Sequence, residues 1–148
     1  MKTIFDDSTR GELFARVNAL NENCNAQWGK MNVYQMLKHC TKWDDMMLGK
    51  IQVKRMFLGR IFGKLALKSV LKNDKPLGKN SPSAPELIIK EKAGDVAFQK
   101  AELIKRLSEY AHFDNPNFVH PFFGRMSKEQ VGRMVHKHHD HHLMQFGV

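Results

Sequence analysis

The stretch VGRMVHKHHDHHLMQ, residues 131–145, decides how the chain folds. An α-helix turns by 100° per residue, so over this stretch it aligns five residues with the 4-3-4-3 spacing of a bundle core. These residues are Val131, Val135, His138, His142 and Gln145. Two histidines therefore occupy positions where a helix bundle normally buries apolar side chains.

The other three histidines of this stretch lie off the core side of the same helix. His136 and His139 point to the far side, and His141 lies at the boundary. We expect all three to be exposed polar residues. Asp140, the only acid between the two core histidines, also points away from them, so we do not assign it as a general base.

Apolar residues recur at helical spacing along almost the whole chain, and capping residues mark the breaks. The predicted helices span residues 9–20, 32–48, 53–72, 95–112 and 127–146. Side-chain caps are expected at three helix starts, from the pairs Thr9 and Glu12, Asn32 and Gln35, and Ser127 and Gln130. Gly49 is expected to end the second helix.

The third predicted helix differs from the others. It contains Gly59 and Gly63, each of which costs about 1 kcal/mol relative to alanine, so we expect this helix to be broken or bent. The segment 73–85 holds three prolines and is typical of a long surface loop. A short apolar contact follows at 87–89.

The four remaining helices are amphipathic and similar in length, which predicts an all-α fold built as a four-helix bundle. A length of 148 residues suits one domain, here 1–148. The basic helix and its proline-rich loop, at about 50–90, then form an insertion between the second and third bundle helices.

Positive charge is concentrated in that insertion. Residues 50–79 hold nine Lys and Arg against one acid, Asp74, and so carry eight of the nine net positive charges. A basic stripe alternates here with large apolar residues: Arg60, Lys64, Lys68 and Lys72 with Phe57, Ile61, Phe62 and Leu65. The pattern fits a solvated face, an amphipathic surface helix or a phosphate contact. Because no recognised nucleic-acid motif accompanies it, we do not expect a nucleic-acid partner.

Composition also bears on the compartment. The chain has no apolar run long enough for a membrane span or a secretory signal, so we expect a cytoplasmic protein. Cys24 and Cys40 are then expected to be free thiols. Cys40 lies on the apolar side of the second helix, which favours a buried structural thiol over a nucleophile.

Two imidazoles buried one turn apart need partners, since each unsatisfied nitrogen costs about 1 to 3 kcal/mol. A divalent metal satisfies both, because side chains at i and i+4 can reach one ion. Candidates for a third ligand are His39, His112, His120, Cys24, Cys40 and the carboxylates. His39 is the best placed, since it lies beside Met36, Trp43 and Met46 on one side of the second helix. Three imidazoles with one open position form a catalytic arrangement.

Several blocks of the sequence resemble the DinB-like (YfiT-like) superfamily of metal-dependent four-helix-bundle proteins. They are Trp28-Gly-Lys-Met31, Met36-Leu-x-His39, His120-Pro-Phe-Phe-Gly124 and His138-x-x-His-His142-x-x-Gln145. The resemblance runs from about Phe5 to Gly147. The sequence departs from the pattern of the superfamily at Val131 and Met144, where tryptophan and arginine are common.

The resemblance implies an up-down-down-up bundle, a homodimer, and a zinc or nickel ion held by His39, His138 and His142. Some members of the superfamily transfer or isomerise conjugates of low-molecular-weight thiols. The leading hypothesis is therefore a metal-dependent enzyme that transfers such a thiol to a small electrophile. Trp43, Met46, Phe122 and Phe123 are the expected walls of its cleft. A metal-dependent hydrolase is the second hypothesis, and a non-catalytic metal-binding module with an anionic partner is the third.

Overall fold

The computed structural model describes residues 2–148, and five α-helices make up most of its fold. The helices are α1 (Asp7–Ala19), α2 (Val33–Met47), α3 (Phe57–Val70), α4 (Val96–Glu109) and α5 (Lys128–Gln145). Short 3₁₀ turns lie at Pro85–Leu87 and Tyr110–His112, and the strands β1 (Val119–His120) and β2 (Gly124–Arg125) form one antiparallel pair. The all-α fold expected from the sequence is confirmed. Within residues 2–148, no helix has the length and apolar character needed to cross a bilayer.

Four of the helices close a ring. Both α1 and α2 pack against α4 and against α5, whereas α3 packs against β2 outside the ring. The apolar stripes of the four helices meet in a common core that includes Leu13, Val17, Leu37, Met47, Leu103, Leu107, Val131 and Val135. The basic helix α3 therefore lies outside the ring of four helices.

Two of the three expected helix caps are present. Asn32 and Ser127 each form a capping box, with Gln35 and Gln130 respectively. The cap expected from Thr9 and Glu12 is wrong, because α1 begins earlier and Thr9 lies buried within it.

Two contacts near the start of α1 account for the failure of that cap. The carboxylate of Glu12 pairs with Lys2 and is not available to the helix start. Arg10 donates to the backbone carbonyls of Ile4 and Phe5, at 2.9 and 2.8 Å, and so fixes the segment that leads into the helix. The predicted end of α2 is correct, since Gly49 adopts a φ of +77° that favours glycine.

Helix α3 runs unbroken through Gly59 and Gly63, so the expected break is wrong. The two glycines instead allow a close approach between the helix and the loop that joins β1 to β2. A Cβ at Gly59 would lie 2.4 Å from the Phe122 carbonyl oxygen, and one at Gly63 would lie 2.1 Å from it. Glycine is thus required for packing, and its cost in helix propensity is offset by this contact.

The cysteines behave as the sequence indicated. Both are free thiols, and Cys40 is buried. Burial raises the pKa of the Cys40 thiol well above its usual value, so this thiol stays protonated at neutral pH. Cys40 is therefore a structural residue of α2.

The glycine packing of α3 can be tested with Gly63→Ala. Alanine gains about 1 kcal/mol of helix propensity, but its methyl group overlaps the Phe122 carbonyl, so we expect a net loss of about 1 to 3 kcal/mol in the free energy of unfolding. The matched control is Gly11→Ala in α1, where a Cβ meets nothing within 4 Å and where we expect a gain of about 0.5 to 1 kcal/mol. Urea unfolding measures both. A Gly63→Ala protein as stable as the wild type would contradict the close approach.

Candidate metal centre

The three predicted ligands come together between α2 and α5. The side chains of His39, His138 and His142, called here the histidine triad, are all buried. Their ring centroids lie 4.7 to 5.4 Å apart, and one nitrogen from each ring lies within 4.8 Å of the other two. Small ring rotations would bring such a set around one cation. That it binds a metal stays a prediction.

Hydrogen bonding fixes the proton on His39. The Nδ1 atom lies 3.0 Å from the backbone carbonyl oxygen of Leu87. A carbonyl oxygen only accepts, so Nδ1–H donates to it and the lone pair of the ring lies on Nε2. The 3₁₀ turn that contains Leu87 thus orients His39 as a ligand.

The proton on His142 is fixed through Gln145. The Gln145 Nε2 donates to the Trp28 carbonyl oxygen at 2.7 Å, so the Oε1 end of the amide faces His142. That oxygen lies 2.9 Å from His142 Nδ1 and accepts a hydrogen bond from Nδ1–H. His142 therefore also carries its lone pair on Nε2. Outer contacts of this kind are the usual means of orienting a metal-binding imidazole.

His138 completes the set and is held by stacking. Its ring lies parallel to the indole of Trp43, with centroids 3.9 Å apart and an interplanar angle of 8°. Its Nδ1 is buried and has no hydrogen-bond partner within residues 2–148. An unsatisfied buried nitrogen costs about 1 to 3 kcal/mol. A cation bound at the triad would coordinate this ring. The unpaired nitrogen therefore supports a ligand supplied from outside the chain.

All three rings are neutral at pH 7. Burial lowers the pKa of His39, lowers that of His138 well below its usual value, and lowers that of His142 to about 3. Repulsion from the neighbouring imidazoles acts in the same direction on His138 and His142. The lone pairs are thus available at neutral pH, and three neutral ligands would leave the full charge of a divalent ion in place.

Two of the histidines expected to be exposed are buried. His139 is 1% exposed and His141 is 8% exposed, whereas His136 is half-buried. The prediction failed for His139 because its ring is buried against Asp44 of α2, inside the bundle. It failed for His141 because the proline-rich loop covers a further side of α5. Lys137 donates to the backbone carbonyls of Asn73 and Lys75, which holds the proline-rich loop across this helix.

His139 belongs to a polar network that the sequence analysis missed. Its Nε2 lies 2.9 Å from Asp44 Oδ1, which also accepts from the hydroxyl of Tyr110 at 2.8 Å. Asp44 is fully buried, and the edge of the His139 ring meets Trp43. The network therefore braces the indole on which His138 stacks. Asp44 lies seven residues after Leu37, on an apolar side of α2. An acid at such a position was the sequence feature that could have revealed this network.

The other ligand candidates are less suited. His112 and Cys24 join no group of converging ligand atoms in the described chain. Cys40 does converge with His138 and His139, but its thiol stays protonated and His139 Nε2 is engaged by Asp44. The histidine triad is the set with available lone pairs.

The histidine triad opens into a cavity of about 480 Å³ between the bundle and the insertion. The four expected wall residues, Trp43, Met46, Phe122 and Phe123, all line it. Further lining comes from the insertion: Met56, Ala66, Val70, Leu77 and Ala84. No carboxylate lines the cavity within residues 2–148. Its walls are mainly apolar, and the polar groups include those of the histidines, of Gln145 and of Asn80, Ser81 and Ser83 in the insertion.

His120 supplies a polar group at another part of the cavity wall. The backbone N–H groups of Phe122 and Phe123 donate to its Nδ1 at 3.1 and 3.2 Å, so its own proton lies on Nε2. That Nε2–H is buried and has no partner in the described chain. Burial, together with the positive charge of Arg55, lowers the pKa of His120 to about 4. His120 thus offers a neutral hydrogen-bond donor.

The low pKa of His120 predicts a pH-dependent stability. Unfolded His120 takes up a proton near pH 6.5, whereas folded His120 does so only near pH 4. The unfolded state therefore binds more protons in this window, and stability falls as the pH drops. In His120→Asn, the amide oxygen can still accept hydrogen bonds from the two N–H groups. Between pH 7 and pH 5 the free energy of unfolding of this variant should fall by about 2 kcal/mol less than that of the wild type. Denaturant unfolding at both pH values measures this, and equal losses in the two proteins would contradict the assignment.

Comparison with known proteins gives one family. The family model described as "Protein of unknown function (DUF1569)" matches residues 5–147. Searches of curated proteins and of solved structures gave no match. The assignment to the DinB-like superfamily is overturned by the family match, since its description carries no such name. Because the match covers nearly the whole chain, the protein belongs to the family described as Protein of unknown function (DUF1569).

Proposed function

We propose that the protein is a metal-dependent enzyme that transfers a low-molecular-weight thiol to a small apolar electrophile. One observation carries the proposal: three neutral imidazoles with converging nitrogens face a cavity large enough for a small molecule. A zinc or nickel ion suits these ligands, since imidazole is a good donor to both.

The cation would supply one chemical property. When bound, it would lower the pKa of a thiol or water molecule that coordinates it and so provide a nucleophile near neutral pH. The chain supplies the rest: His39, His138 and His142 hold the ion, and Leu87 and Gln145 keep two of these rings in the required tautomer.

The lining of the cavity favours a thiol over water as the nucleophile. Hydrolysis generally needs a base positioned to take a proton from water, and in the described chain no carboxylate lines the cavity, which leaves His141, whose pKa is lowered by burial, for that role. A thiol has a lower pKa and can lose its proton to solvent. Its sulfur then forms a bond to the electrophilic carbon, and the leaving group departs with the electron pair of the bond that breaks. The apolar walls suit an electrophile with little charge.

His120 would position the electrophile. Its Nε2–H is a donor without a partner in the described chain, and it lies in the same cavity wall as Phe122 and Phe123. An oxygen acceptor on the substrate, such as a carbonyl or nitro group, would satisfy this donor. His120→Asn is thus expected to raise KM for such a substrate more than it lowers kcat.

A metal-dependent hydrolase is the second candidate, and His141 favours it. His141 lines the cavity, and burial lowers its pKa, so its imidazole is neutral at pH 7 and able to accept a proton. In a hydrolase it would act as the general base. The two candidates therefore differ in their dependence on His141 and on an added thiol.

Cobalt-loaded protein distinguishes the candidates. Titration with cysteine, glutathione and bacillithiol should produce a sulfur-to-cobalt charge-transfer absorption, and turnover of a chromogenic aryl halide should need the added thiol. His142→Ala should lower both by at least about 100-fold, whereas His136→Ala and His141→Asn should retain them. Ester hydrolysis that needs His141 and no thiol would establish the hydrolase instead. Metal binding without a thiol signal or turnover would leave the non-catalytic module.

A further inference from the structure

The outer face of α3, defined by Phe57, Leu58, Ile61, Phe62 and Leu65, is apolar and open to solvent. Each of these side chains is between 54% and 73% exposed. Their spacing of one, three, one and three residues places them along one side of the helix. Five large apolar side chains on one continuous face exceed the scattered exposure that is ordinary for a protein surface.

The inner side of α3 explains why this face points outward. Gly59, Gly63 and Leu67 are buried, and the two glycines lie against the Phe122 backbone. Arg55, just before the helix, donates to the carbonyls of His120 and Phe122. The helix is therefore held against the protein by its glycine side, and its apolar face points to solvent.

The surroundings of the outer face are strongly basic. Arg60, Lys64 and Lys68 project from α3 itself, which contains no acid, and all three are exposed. The segment 50–79 carries eight of the nine net positive charges of the chain. Within residues 2–148, no hydrogen bond or ion pair engages the side chain of Arg60 or Lys68. These cations are free to meet an anionic partner.

We propose that α3 docks on the surface of a membrane that contains anionic lipids. Its outer face would enter the boundary between headgroups and acyl chains, and its basic side chains would contact lipid phosphates. Apolar area and attraction to anionic lipids are the two terms that hold an amphipathic helix at such a surface, and each basic residue near the surface adds to the attraction. A second copy of the chain fits the same face less well, because it would bring the two basic segments together.

Docking would also bring the cavity close to the lipid. Met56, Ala66 and Val70, at the start and on the inner side of α3, line the cavity. The helix is thus a wall between the cavity and the surface on which we place it. An apolar substrate dissolved in the membrane would have a short route to the histidine triad. The docking itself does not depend on the proposed function.

Vesicle co-sedimentation tests the proposal with the full chain. The wild type should bind vesicles of phosphatidylglycerol and phosphatidylcholine, should bind pure phosphatidylcholine vesicles much less, and should be released as salt is raised. Ile61→Ser/Leu65→Ser and Arg60→Gln/Lys68→Gln should each lower the partition coefficient by at least about tenfold. The matched controls are Phe98→Ser and Lys105→Gln on α4, where both residues are exposed; they should bind as the wild type does.

Circular dichroism confirms that each variant is folded, and sedimentation velocity without lipid gives its oligomeric state. No binding to anionic vesicles at low salt would overturn the proposal. So would equal binding to neutral vesicles, or binding that survives Ile61→Ser/Leu65→Ser. A wild-type dimer that becomes a monomer in Ile61→Ser/Leu65→Ser, without vesicle binding, would show that a second copy covers the face.

Discussion

The structure depends on three buried imidazoles packed together inside the bundle, where the described chain leaves one ring nitrogen without a partner. Leu87 and Gln145 each accept a hydrogen bond from an Nδ1–H group and so leave the lone pairs of His39 and His142 on Nε2. Burial and repulsion between the imidazoles keep the rings neutral, so no ring becomes a charged donor to another. The buried Nδ1 of His138 has no partner in the described chain. A divalent cation bound at the triad would accept the lone pairs of these rings.

Helical spacing was sufficient to predict the core of this arrangement. The 4-3-4-3 pattern of α5 placed His138 and His142 inward, and the apolar neighbours of His39 did the same on α2. The prediction held because both helices are long and begin at capping boxes that fix their register. Helical spacing alone does not show whether two distant helices meet. That inference came from the similar length of the four amphipathic segments, which predicts a bundle.

The sequence could not reveal contacts made by irregular segments. His141 was expected to be exposed, yet the proline-rich loop and the first residues of the chain cover sides of α5 that a four-helix bundle leaves open. His139 was also expected to be exposed, yet it is buried inside the bundle, where it contacts Asp44 of α2. Gly59 and Gly63 indicated a weak helix, although their role is to admit the Phe122 backbone. The tautomers of His39 and His142 depend on hydrogen bonds accepted by the Leu87 carbonyl in a 3₁₀ turn and by Gln145, which is itself oriented by the Trp28 carbonyl. No spacing rule locates these contacts. The DinB-like assignment failed for a different reason, since it rested on short blocks, whereas the family model matches nearly the whole chain.

The insertion links the two proposals. Its inner side lines the cavity beside the triad, and its outer face exposes apolar and basic groups together. The central claim, however, concerns the triad, and elemental analysis of protein made without an affinity tag tests it most directly. We predict one divalent ion per chain in the wild type and in His136→Ala, and loss of that ion in His39→Ala and His142→Ala. Equal metal content in His142→Ala and the wild type, or a wild type that binds no zinc or nickel when either is supplied, would contradict the account.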